Sequence, residues 1–76
     1  MTFGQRLNQC RKERGITAQA IADKLGVALR TYRFYESDYR QPAFVILVQI
    51  ADILDVSTDL LLCRDEFLAK HADESR

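Results

Sequence analysis

The stretch LRTYRFYE, residues 29–36, holds the side chains in this sequence best suited to recognising another molecule. At about 100° per helical residue, Leu29, Arg30, Arg33 and Phe34 fall on one side, while Tyr32 and Tyr35 fall on the other. Two guanidinium forks beside two apolar groups can hydrogen-bond planar acceptors and touch methyl groups, which is binding chemistry. Nothing elsewhere assembles a reacting set. The single histidine, His71, lies in a polar tail with no ligand-spaced partner. Cys10 and Cys63 stand far apart in apolar periodic stretches, where thiols serve as small buried hydrophobes rather than as a disulfide or a metal site. There is no glycine-rich loop to cradle a phosphate and no nucleophile–base pair. The sequence therefore predicts a protein that is not an enzyme, with no cofactor, no metal and no small-molecule ligand.

A chain of 76 residues is one small domain. At that size only about 60% of the unfolded surface is buried, and oligomerisation is a common remedy. Hydrophobic content of 47% with 29% charged residues is ordinary for a globular protein. No run approaches the ~18 apolar residues of a membrane span, and no signal segment opens the chain. The expectation is an unprocessed cytoplasmic protein with no membrane partner. The net charge is zero, but its distribution is uneven: residues 1–42 carry eight Lys/Arg and four Asp/Glu, and residues 43–76 carry three and seven. A basic half on a neutral chain makes a directional field, and a basic face attracts nucleic acid.

The positioning elements are all helical. Thr2 followed by Gln5 has capping-box spacing, and Phe3, Leu7 and Cys10 continue with helical period to Gly15, giving a first helix over 3–14. Thr17 caps a second helix through Ile21, Ala22 and Leu25, which Gly26 ends. A third runs from near Ala28 to Glu36 or Ser37, and Pro42 closes the turn ESDYRQP behind it. A fourth spans 43–54, AFVILVQIADIL, and Ser57 opens a fifth at STDLLL. No stretch alternates with period two. A three-residue joint, GVA, between the second and third helices suggests a helix-turn-helix.

The run ITAQAIADKLGVALRTYRFYESDYRQP resembles the Cro/repressor-type (Xre-type) helix-turn-helix family of bacterial and phage regulators. Thr17, Ala22, Leu25, Gly26, Val27, Thr31, Tyr35, Glu36, Arg40 and Pro42 carry the likeness, and DVSTDLLL extends it over about residues 2–64. The resemblance implies an all-α, five-helix, lambda-repressor-like DNA-binding domain over 1–64; the sequence beyond it reads as a polar tail over 65–76, either separate from the fifth helix or continuing it. It also implies double-stranded DNA as partner, with the outward face of the third helix in the major groove. Base readout would fall to Leu29, Arg30, Arg33 and Phe34. Arginine bonds guanine O6 and N7 as a pair, and Leu29 and Phe34 would meet thymine methyl groups. An alternative for Phe34 is packing over the end of the second helix. Phosphate contact would fall to Thr17, Gln19, Ser37 and Arg40, near the N-terminal end of the second helix and in the loop after the third. Arg11 and Glu36 match a structural ion pair of the family, which would fix the roll of the third helix. Two positions depart from the pattern. Ala18 stands where the family has a glutamine that reaches phosphate, and Asp38 where it has a glycine in a left-handed turn.

The fourth helix adds a further expectation. Phe44, Leu47, Ile50, Ala51 and Leu54 form a core face, while Val45, Ile46, Val48 and Ile53 cover most of the rest, leaving Gln49 and Asp52 as polar breaks. A helix apolar nearly all round is buried on more than one side. Either Phe67 and Leu68 of the tail fold over it, or Val45, Ile46 and Ile53 form a two-fold dimer interface, which is the favoured reading. The sequence thus predicts a homodimeric, sequence-specific transcriptional regulator on a near-palindromic operator, its half-sites about 34 Å apart. It would act by occupying the operator or by recruiting a partner through exposed residues, with no effector domain. The alternative is a protein–protein interaction module, antitoxin-like or antirepressor-binding, with weakened DNA binding, which Ala18, Leu29 and Phe34 favour.

Overall fold

Side-chain caps start three of the helices. In the computed structural model, which describes residues 1–64, Thr2 Oγ1 accepts from the Gln5 amide at 3.2 Å while Gln5 Oε1 accepts from the Thr2 amide at 3.0 Å. That reciprocal capping box opens α1, Phe3–Glu13. Thr17 Oγ1 accepts from Ala20 N and opens α2, Ala18–Leu25. Ser57 does the same for Leu60 N at α5, Thr58–Leu61. Two helices, α3 (Leu29–Glu36) and α4 (Phe44–Leu54), begin after Ala28 and Ala43 with no side-chain cap. Gly26 ends α2 in the left-handed conformation, φ +72°, which a residue without Cβ adopts freely. The described residues form five helices and no strand. The tail over 65–76, with Phe67, Leu68 and His71, lies outside the described residues.

Each helix sends a side chain into one core. Leu7, Ile21, Tyr32, Ile50, Leu54 and Leu61 are fully buried there, joined by Cys10, Ala22, Leu25, Tyr35 and Ala51. Ala22 is small enough to let α2 and α3 cross closely, and the Val27 amide folds the joint back onto the Ala22 carbonyl at 3.1 Å. Placing Tyr32 and Tyr35 on the inner side of α3 turns Arg30 and Arg33 outwards.

Two sequence expectations for core residues do not hold. Phe44 is 78% exposed, because the first turn of α4 runs beyond the buried layer even though its period aligns Phe44 with Leu47 and Ala51. It borders an apolar groove of about 310 Å³ with Phe3, Pro42, Leu47 and Leu62. Cys63 is half-buried rather than buried. It sits in a left-handed turn, φ +60°, with its thiol 3.5 Å from the Thr2 carbonyl.

Candidate nucleic-acid interface

The inner end of α3 is anchored by its last residue. Glu36 accepts from Arg11 Nε at 2.6 Å, from Asn8 Nδ2 at 2.8 Å and from the Tyr32 hydroxyl. Arg11 Nη1 meanwhile donates to the Ile16 carbonyl at 2.9 Å, tying α1 to the entrance of α2 as well. The structure thus brings Arg11 and Glu36 together, with side chains only 13% and 14% exposed. Burial pushes the Glu36 carboxyl up, but the hydrogen bonds from Arg11, Tyr32 and Asn8 outweigh it and hold the group below its ordinary range. The same hydrogen bond raises Arg11, while burial and then Glu36 push the Tyr32 phenol up. Helix α3 is therefore held in one rotational setting by a charged acceptor that takes two donors from α1.

The turn behind α3 is anchored separately. Asp38 takes a left-handed conformation, φ +63°, which is unfavourable for a residue with Cβ. Its carboxylate accepts from Thr2 Oγ1 at 2.6 Å and from the Gly4 amide at 2.8 Å, satisfying donors at the start of α1. Gly4 makes that approach possible. A Cβ there would overlap the Glu36 carbonyl oxygen and lie 2.8 Å from Asp38 Oδ2.

On the outer side, Leu29, Arg30, Arg33 and Phe34 share one shallow depression of about 390 Å³. Arg30 and Arg33 are exposed, and Leu29 and Phe34 are half-buried. Ion pairs among the described residues engage Arg11, Arg14 and Arg64 and leave Arg30, Arg33 and Arg40 out. The Phe34 ring is crowded by its own chain. The Arg30 guanidinium carbon stands 5.5 Å from the ring centroid and that of Arg40 5.8 Å, both within cation–π range. Tyr39, 76% exposed, brings its ring centroid to 4.7 Å at a 42° tilt. The loop is folded onto α3 by the Tyr39 and Arg40 amides, which both donate to the Phe34 carbonyl at 3.0 and 3.2 Å.

The remaining expected contact residues flank this strip. Thr17 is committed to capping α2, and Gln19 donates to Asp23 at 2.8 Å. The Ser37 hydroxyl donates to the Phe34 carbonyl at 3.2 Å and accepts from the Tyr39 amide at 3.4 Å. Ala18 borders an open groove of about 490 Å³ between α1, α2 and α3, lined also by Gln5, Asn8, Arg33 and Ser37. Sequence reasoning missed Tyr39 beside Phe34, Asn8 and Tyr32 on Glu36, and the bonds from Asp38 to α1. An Arg–Phe pair four apart on one helix signals the Arg30 contact with the Phe34 ring, but no spacing signals Tyr39 beside it.

A second helix with one face in the core, crossed by a third that presents a cationic, partly apolar strip, defines a helix-turn-helix domain. The helix-turn-helix family profile matches residues 7–61, and the chain belongs to that family. It is 45% identical over 60 residues to the uncharacterised HTH-type transcriptional regulator YqaE of Bacillus subtilis, covering 79% of this chain and 52% of that one. The chain spans about half the length of the curated relatives it matches. The solved complex of the biofilm master regulator SinR with DNA superposes with a TM-score of 0.73 at 35% identity, covering 80% of this chain and 98% of that one. A SinR–SinI protein complex gives the same score at 31% identity, covering 97% and 81%. These relatives are transcriptional regulators rather than enzymes. No described helix is long and apolar enough to cross a membrane.

Proposed function

We propose that this chain is a sequence-specific DNA-binding transcriptional regulator that lays α3 in the major groove of double-stranded DNA. The carrying observation is the strip of Leu29, Arg30, Arg33 and Phe34 on the outward face of the second helix of the motif. Its likeness to a domain solved on DNA supports the same reading. The N-terminal end of that face reaches base edges first, so Arg30 is the leading reader, of a guanine, with Arg33 behind it. Arg40, in the loop, takes phosphate, and Thr17, Gln19 and Ser37 border the backbone path. The protein works in the cytoplasm as a homodimer on a near-palindromic operator with half-sites about 34 Å apart. Of the expected dimer residues, Val45 is 64% exposed, whereas Ile46 and Ile53 also pack against the core.

Selection of binding sites from random duplexes tests the proposal, followed by affinity measurements over a salt series. A palindromic consensus should emerge, and binding should weaken as salt rises. Arg30→Ala should relax preference at one position per half-site, while Arg40→Ala should weaken binding to all sequences alike and lower the salt slope by about one. A folded protein that selects no site would favour the second reading, a protein–protein interaction module. Ala18 in the place of a phosphate-reaching glutamine, and the likeness to a SinR–SinI assembly, support that alternative.

A further inference from the structure

The ring of Phe34 lies under two guanidinium groups, and those groups belong to residues with different proposed duties. Arg30 sits one turn earlier on α3 and faces base edges, whereas Arg40 sits in the loop and faces phosphate. Their guanidinium carbons stand 5.5 and 5.8 Å from the same ring centroid, and Tyr39 abuts that ring at 4.7 Å. Neither arginine has an ion-pair partner among the described residues. Long cationic side chains without partners sample many rotamers, and ordering one on binding costs affinity. An aromatic face holds a guanidinium through its quadrupole while leaving the edge N–H donors pointing away from the ring. The ring is itself confined by Tyr39, whose loop is closed onto the Phe34 carbonyl by the Tyr39 and Arg40 amides.

We infer that Phe34 is a positioning residue rather than a base reader: it orders Arg30 and Arg40 as one unit, coupling sequence readout to backbone contact. This rests on the proposed DNA-binding function. A thymine methyl group approaching the ring face would have to displace a guanidinium already there. The coupling also gives the loop a part in specificity, because moving Arg40 removes one of the three groups that confine the ring.

The test compares Phe34→Leu, which keeps an apolar group but loses the ring, with Phe34→Tyr, which keeps the ring. In the free protein, NMR should show ring-current-shifted side-chain protons for Arg30 and Arg40, retained in Phe34→Tyr and lost in Phe34→Leu. On the selected duplex, Phe34→Leu should bind about five- to a hundredfold more weakly, because two guanidinium side chains no longer held by the ring must be ordered on binding. The effects of Arg30→Ala and Arg40→Ala should shrink in that background, and Phe34→Tyr should restore both affinity and coupling. A purely structural role would lower the melting temperature and leave the two arginine effects unchanged. Unshifted arginine resonances, or arginine effects that add independently of Phe34, overturn the inference. If the wild-type protein selects no duplex while the shifts are present, the arginine cluster stands and the DNA-binding reading fails with the coupling built on it.

Discussion

Replacing Arg11 with methionine would leave the Glu36 carboxylate mostly buried without its charged partner. The side chains are 13% and 14% exposed, so water can compensate little of the loss. Stranding one member of a buried pair costs about 3–5 kcal/mol. Asn8 and the Tyr32 hydroxyl still donate to the carboxylate, which places the expectation near the lower end, about 3 kcal/mol. A domain of this size has a total stability of about 4–11 kcal/mol. The variant should therefore stay folded in the cold but melt roughly 12–24 °C lower, at about 4–8 °C per kcal/mol. Thermal and urea unfolding followed by circular dichroism at 222 nm would measure it, together with Glu36→Gln and the double variant. Removing both charges leaves no stranded ion, so the double variant should recover about 2 kcal/mol relative to the sum of the single losses. Additivity to within about 0.5 kcal/mol would show that the two groups do not depend on each other, and the anchoring argument for α3 would be wrong.

The same carboxylate sets a pH dependence. Its pKa is lowered on folding, so its contribution is present above the ordinary carboxylate range, about 4.3, and is lost as pH falls through the lower folded value; the stability advantage of wild type over Glu36→Gln should shrink on acidification below about pH 4. Gly4→Ala should lower the melting temperature although alanine is the better helix former, because its Cβ would overlap the Glu36 carbonyl; an unchanged or raised melting temperature would mean that α1 can shift freely. Asp38→Ala should destabilise by about 1–3 kcal/mol through two lost hydrogen bonds, and Asp38→Gly by less, since glycine relieves the left-handed backbone. Equal losses would mean that the backbone strain is negligible. Val45→Glu should give monomers by sedimentation with helicity retained, and a monomeric wild type at high micromolar concentration would exclude the proposed dimer.

Much of the fold was legible because its signals are local. Thr2 and Gln5, Thr17, Ser57 and Gly26 each specify a helix boundary within a few residues, and the structure places the boundaries within one or two positions of those signals. The period of α3 sorted Tyr32 and Tyr35 inwards and Arg30 and Arg33 outwards for the same reason. Helical period says which residues share a side, but not how far along the helix the core extends. Phe44 shows the difference, lying in line with buried residues yet beyond their layer. Asp38 shows another limit: its departure from glycine reads as a local penalty, and the compensating donors lie 34 and 36 residues earlier in the chain. The crowded Phe34 ring depends on how the loop doubles back, which no spacing encodes.

The two sides of α3 are committed to separate tasks, and that separation bears on redesign. Tyr32, Tyr35 and Glu36 hold the helix in the protein and touch none of the outward strip's proposed work. Residues 29, 30 and 33 can therefore be exchanged for those of another regulator with little disturbance to folding. Position 34 cannot be exchanged alone, because its ring supports Arg40 and is abutted by Tyr39. The transplantable cassette is the strip together with residues 39 and 40. A graft confined to the helix would carry over the proposed reading residues but leave behind the loop that packs on Phe34.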